Sequence, residues 1–319
     1  MSELRQHTTV EAFFLAGRES LKLDIAAGGD FLRRAVREAA LNRTGLAFAG
    51  VMEHFPPRRL QICGLAEMAC LQRQPTATQE ERLRAFFSRG VPALILTRGK
   101  KPTPAMDALA AEFRTPLLRT RLDTNRFMQA AAVLIEDLVA PRLKVQGTMV
   151  DIHGIGVLLE GEPGIGKSET ALGLVARGYS LIADDLTQLK RTPQGTLRGA
   201  AVELTRYHME IRGLGIIHVP SLFGVASIRP EKQLDLIVRL VRPDGDGRGD
   251  ERTGLSHPTR AVLGADIPVL TIPVSAGRDM APIVEVAALN YRLRQLGHDA
   301  AKELDQRVME KLGEHHAGD

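Results

Sequence analysis

Tryptophan is absent from this 319-residue chain, and aromatic residues make up only 4% of it. Platforms that stack nucleic-acid bases need exposed aromatic rings, so no nucleic-acid partner is expected. Charge gives no contrary sign. The net +4 is spread along the chain without a block of like charges, so neither nucleic acid nor a membrane surface is implied. Cysteine is scarce as well: Cys63 and Cys70 have no second pair to complete a zinc motif or a disulfide framework, and they read as thiols of a reducing cytoplasm. No apolar run approaches the roughly 18 residues of a membrane span. The start, MSELRQHTTVEAFF, lacks the basic and apolar segments of a secretion signal. A cytoplasmic protein is expected.

What is present is ordinary globular material, 44% hydrophobic and 25% charged, and long enough for two domains. In the first part, the apolar runs GLAFAGV (45–51), LQICGL (60–65), VPALILT (91–97) and TPLLRT (115–120) alternate with helical patterns such as GDFLRRAVREAAL and ATQEERLRAFFSRG. Strands alternating with helices predict βαβ units and a mainly parallel sheet. His54 and the basic cluster Arg98, Lys100 and Lys101 read as solvated loop residues. A helix over 123–140, stopped by Pro141, joins this part to a second of different texture, with hairpins and long loops. The expected division is an assembly or regulatory domain over 1–132 and a catalytic domain over 133–319. Within the second, TMVDIHGIGVLLE predicts two short strands or a bent one. TQLKRTPQGTLRGAA predicts a hairpin, and the C-terminus predicts helices broken near Gly297.

The strongest chemical signal lies in that second part. Gly161, Glu162, Pro163, Gly164, Ile165, Gly166, Lys167 and Ser168 form a complete G-x-x-x-x-G-K-[ST] phosphate loop. Its glycines let backbone N–H groups close around phosphate oxygens, Lys167 neutralises the outer phosphates, and the Ser168 hydroxyl can ligate Mg²⁺. An apolar strand pattern precedes the loop and a helical one follows it, the context in which a helix N-terminus faces an anion. Asp184 and Asp185 are expected to end a strand beside the loop strand, one holding metal through water and the other taking a proton from an attacking hydroxyl. A metal site without base duty is the alternative reading of that pair. Glu210 and Arg212, followed by Gly213 and Gly215, place opposite charges beside flexible backbone. Arg252, in a polar loop, is a candidate to close over a transferring phosphate.

With these residues assembled, the chain resembles the bacterial HPr kinase/phosphorylase family. GEPGIGKSETALGLVARGYSLIADD is similar to that family's loop, helix and acidic pair. EIRGLGIIHVPSLFG is similar to its signature segment, and PVSAGR (273–278) to a later one. The resemblance implies a C-terminal phosphate-loop kinase domain like that of phosphoenolpyruvate carboxykinase, and a homo-oligomer, a hexamer. It implies ATP-dependent phosphorylation of a serine in the phosphocarrier HPr or a close relative, reversed by inorganic phosphate with release of pyrophosphate. Carried over by position, residues 161–168 bind ATP, Ser168 and Glu210 ligate Mg²⁺, and Lys167 and Arg252 are catalytic. Asp185 becomes the general base forward and general acid in reverse. Pro273, Val274, Ser275, Ala276, Gly277 and Arg278 serve mainly the phosphorolysis. The rival readings are a small-molecule kinase and a nucleotide- or phosphate-sensing regulator without transfer activity.

Two departures stand out. Gln146-Gly147 occupies the place of a family histidine-glycine pair, and glutamine hydrogen-bonds but does not exchange protons near neutral pH. His153 is the candidate to compensate. Asp279 stands where asparagine commonly follows Gly-Arg, adding negative charge near the expected phosphate site.

Overall fold

Alternation of strand and helix does organise the first of two units, Met1–Pro141 and Arg142–Asp319, into which the computed structural model divides. The structure describes residues 7–243, 258–275, 277–304 and 306–307. In the first unit, strands Leu41–Arg43, Leu60–Cys63, Leu94–Leu96 and Leu117–Thr120 run parallel, and Leu23–Ala27 closes the sheet antiparallel to Leu117–Thr120. Side-chain alternation feeds two cores. Leu94 and Leu96 pack with Phe48, Phe86 and Phe87 on one face, while Ile95 packs with Phe13, Phe127 and Ile135 on the other. Helices Thr76–Phe87 and Thr124–Val139 lie where their sequences predict.

Two local expectations fail. GLAFA is a helix, Gly45–Ala49, closed by Gly50 at φ 98°; a short apolar run has no period that separates buried strand from buried helix. GDFLRRAVREAAL keeps only a single helical turn, Gly29–Phe31, and then becomes strands Ala35–Val36 and Leu41–Arg43. Val36 pairs with Thr8, and Leu41 with Leu60, so sheet pairing overrides a helical local preference.

The second unit holds a six-stranded sheet in the order Ser180–Ala183, Thr148–Ile152, Ile155–Glu160, Leu236–Val241, Ala265–Pro273, Thr259–Val262. The three strands from Ile155–Glu160 to Ala265–Pro273 are parallel. Helices Lys167–Ala176 and Ala281–Gln295 cover one face, packing on Val157, Leu159 and Val238. The other face buries Met149, Leu158 and Ile237 against a four-stranded antiparallel sheet that includes the expected hairpin, Leu186–Arg191 with Leu197–Ala201. The two sheets approach closely at Gly156, where a Cβ would stand 1.8 Å from the Gln233 carbonyl oxygen. TMVDIHGIGVLLE forms two antiparallel strands. One expectation is corrected here: the strand carrying the aspartates does not neighbour the loop strand. Thr148–Ile152 lies between them, because this segment folds straight back on Ile155–Glu160 and takes that side of it. No helix among the described residues is long and apolar enough to cross a membrane.

Candidate active site

The buried strand Ile155–Glu160 delivers the chain to the phosphate loop at the carboxyl edge of the parallel strands, and helix Lys167–Ala176 leaves it. Ligands of open α/β sheets collect at that edge. Two loop glycines are required sterically. At Gly161, φ is 151° and a Cβ would sit 2.5 Å from the Leu240 carbonyl oxygen. At Gly164, φ is 78° and a Cβ would sit 2.9 Å from Arg212 Nη2. That second approach carries the guanidinium of the EIRGLG segment to the loop. Lys167 Nζ donates to the carbonyls of Gly161 at 3.0 Å and Glu162 at 3.1 Å. An ammonium has three donors, so one remains for a phosphate oxygen while two hold the side chain over the loop.

Asp184 is the hub beside the loop. Its Oδ1 accepts from Ser168 Oγ at 2.9 Å and from Thr148 Oγ1 at 2.8 Å, and its Oδ2 accepts from the Glu210 amide at 3.3 Å. The side chain is buried, and burial pushes its carboxyl above the usual range, opposed by the Thr148, Ser168 and backbone bonds to the ionised form. Thr148 is fully buried on the intervening strand. Sequence reasoning missed it, since a threonine at a strand start carries no motif and its partner is 36 positions away.

Asp185 differs from its neighbour. It is exposed, with φ 59°, at the centre of a three-residue turn closed by the Leu186 amide on the Asp184 carbonyl at 2.6 Å. A positive φ at the centre of such a turn is strained for a residue with a side chain. The strain turns the two adjacent carboxylates to different environments, one buried against Ser168 and one in solvent. Gly147 N donates to the Asp185 carbonyl at 2.8 Å, and Gln146 pairs directly with Leu186. The position at which the chain departs from its resemblance therefore lies beside the aspartate turn.

Of the other candidates, Glu210 lies on strand His208–Ile211, exposed, with its amide on Asp184. Pro273 ends the strand two places from the loop strand, and Val274 N donates to the Val241 carbonyl at 2.8 Å, so residues 273–275 leave the sheet at the edge where the loop sits. Arg278 N donates to the Ser275 carbonyl at 3.2 Å, and Gly277 has φ 78°. Arg252 and Ala276 lie outside the described residues. Asp279, one residue ahead of the N-cap Met280 of helix Ala281–Gln295, accepts at Oδ1 from the Ala281 amide at 3.0 Å. His153 does not join the site. It occupies the turn between Ile152 and Ile155, the opposite end of the loop strand, about 20 Å away at ~3.3 Å per residue. There its Nε2 is 2.7 Å from the Tyr179 hydroxyl, which donates to Glu285. A strand carries successive residues steadily away from its end, so seven positions from Gln146 is too far to substitute for it.

Among the described residues, no three His, Cys, Asp or Glu side chains gather as a self-sufficient metal site. The donors that do meet, a serine hydroxyl and a carboxylate beside a phosphate loop, fit Mg²⁺, which commonly keeps waters and shares phosphate oxygens with one or two carboxylates.

Such a loop, at the carboxyl edge of a mixed sheet and with one buried and one exposed carboxylate beside it, defines a phosphate-loop α/β protein built for phosphoryl transfer. Comparison with known proteins narrows the class. The profile of the HPr Serine kinase C-terminal domain matches residues 137–308, and that of the HPr Serine kinase N terminus matches residues 9–134. The chain is 39% identical over 295 residues to an HPr kinase/phosphorylase of Caldanaerobacter subterraneus, covering 92% of this chain and 96% of that one. It is 38% identical over 296 residues to one of Halalkalibacterium halodurans, covering 93% and 95%. A solved structure, the Hpr(Ser) kinase/phosphatase from Coxiella burnetii, is 31% identical and covers 51% of this chain and 98% of that one, with a TM-score of 0.46. The chain belongs to the HPr kinase/phosphorylase family.

Proposed function

We propose that the chain uses ATP to phosphorylate a serine of HPr, or of a close relative, and that it removes the same phosphoryl group with inorganic phosphate. The observation that carries this reading is the separation of Asp184 from Asp185: one carboxylate bound to Ser168 beside the loop, the other exposed on a strained turn. The loop amides and Lys167 hold the nucleotide phosphates, and Ser168 and Glu210, with Asp184 behind them, hold Mg²⁺. The metal supplies charge neutralisation at the phosphates. Asp185 takes the proton of the serine hydroxyl as its oxygen bonds to the γ-phosphorus and the bond to the leaving ADP oxygen breaks. In reverse, an oxygen of inorganic phosphate bonds to the phosphoserine phosphorus and the bond to the serine oxygen breaks. Asp185 returns its proton to that oxygen, and pyrophosphate leaves. One set of groups suffices if phosphate occupies the β-phosphate position in the loop.

Arg252 and residues 273–278 are assigned to closure over the transferring group and to phosphorolysis. Gln146, hydrogen-bonding but not titrating, is read as an orienting residue of the Asp185 turn. The chain works as a homo-oligomer, a hexamer, in the cytoplasm.

The test uses purified chain, Mg²⁺-ATP and HPr, with phosphoserine detected by mass spectrometry, followed by phosphate addition and a pyrophosphate assay, with Gln146→His alongside. The expected result is one phosphoserine, removed on phosphate addition. Phosphate transferred only to a small molecule, or no phosphoserine under any condition, overturns the reading.

A further inference from the structure

Four arginines that are scattered in the sequence converge in the first unit. Arg34, Arg37, Arg58 and Arg89 line a pocket of about 410 Å³. The segment around strand Ala35–Val36 supplies the first two, the approach to strand Leu60–Cys63 the third, and the turn after helix Thr76–Phe87 the fourth. A bond from Arg37 N to the Arg58 carbonyl at 3.4 Å ties two of these segments together.

Arg34 is held in place. Its Nη1 donates to the carbonyls of Phe113 at 3.1 Å and Arg114 at 3.0 Å, which fixes the guanidinium plane and leaves Nη2 and Nε free to donate elsewhere. Nη2 lies 3.7 Å from where a side chain on Gly90 would begin. Among the described residues, none of the four arginines makes an ion pair, whereas the adjacent Arg59 is paired with Glu38 at 2.7 Å. Burial also lowers the Arg34 guanidinium from its ordinary value with no carboxylate to offset it. Like charges gathered without counter-charge repel, and an anion between them removes that cost.

We infer that this pocket is a binding site for a small phosphate-bearing anion, separate from the phosphate loop. Its volume lies in the range of small-molecule sites. Guanidinium forks match phosphate oxygens bidentately, which ammonium groups do not. None of the lining residues is aromatic, so the pocket offers no surface on which a nucleobase would stack. The ligand class is therefore a compact, multiply charged anion rather than a nucleotide held by its base.

Inorganic tripolyphosphate is the probe, titrated calorimetrically into the full chain carrying Lys167→Ala, which weakens the loop as a competing site. Saturable binding is expected, weakened about 10²-fold or more by Arg58→Gln with Arg89→Gln, the loss of two charge-assisted contacts. Both side chains are exposed, so the double variant keeps its fold, and a thermal melt verifies this. Arg34→Gln is expected to weaken binding at least as much. Absence of saturable binding, or equal affinity in the double variant, overturns the proposal. So does binding of a polyglutamate peptide at these arginines without binding of tripolyphosphate, since the pocket is then a protein-docking surface.

Discussion

Replacing Thr148 by valine tests the Asp184 hub without touching any motif residue. Valine has the shape of threonine and suits a strand, so the change subtracts one hydroxyl from a fully buried position. The lost bond, Thr148 Oγ1 to Asp184 Oδ1 at 2.8 Å, is worth about 1.5–3 kcal/mol to an ionised carboxylate and about 0.5–1.5 kcal/mol to a neutral one. Burial raises the Asp184 carboxyl, so the folded chain holds that proton more tightly than the unfolded chain. The stability from this group is present at low pH and lost as pH rises through the raised value. Removing a donor to the ionised form steepens that loss. The variant should therefore trail the parent by the smaller, neutral-bond margin at the acid end of a pH series and by the full charged-bond value at its alkaline end, there a Tm difference of about 3–12 °C for a unit of this size. Urea unfolding across that series measures it, and the Mg²⁺ concentration giving half-maximal transfer should rise about 10-fold, as for loss of a residue that orients a metal ligand. An equal stability difference at every pH, or none at all, refutes the assignment of Thr148 to the ionised carboxylate.

Asp185→Gly should relieve the positive φ and stabilise the nucleotide-free chain by about 1 kcal/mol, while transfer falls about 10²–10⁴-fold; a destabilised variant argues against strain at the turn. Gly156→Ala should cost about 3 kcal/mol or more, or prevent folding, because the new Cβ meets backbone at 1.8 Å; a normal melt refutes the close sheet approach. Burial pushes the Cys63 thiol up to about 12, so its thiolate is scarce at pH 8. A maleimide should label the half-exposed Cys70 first, and early label on Cys63 in folded protein contradicts that environment.

Features written in one continuous stretch were legible in the sequence. The loop at 161–168, the helix after it and the 186–201 hairpin each depend on residues a few positions apart. Features set by pairing across the chain were not. The back-folded strand Thr148–Ile152 separates the aspartate strand from the loop strand, and with it comes Thr148, which no local pattern marks. The helical look of 29–41 gave way to pairing with Thr8 and Leu60. His153 is near Gln146 in sequence yet stands at the far end of a strand. The arginine pocket draws on four positions between 34 and 89 that only the sheet brings together.

In the proposed mechanism one set of phosphate-binding groups serves both directions of transfer. Lys167→Ala, measured in the forward reaction with Mg²⁺-ATP and HPr and in reverse with phosphate and phosphorylated HPr, tests it most directly. Loss of both activities by similar factors is the predicted result. Loss of phosphorylation with phosphorolysis intact would contradict it.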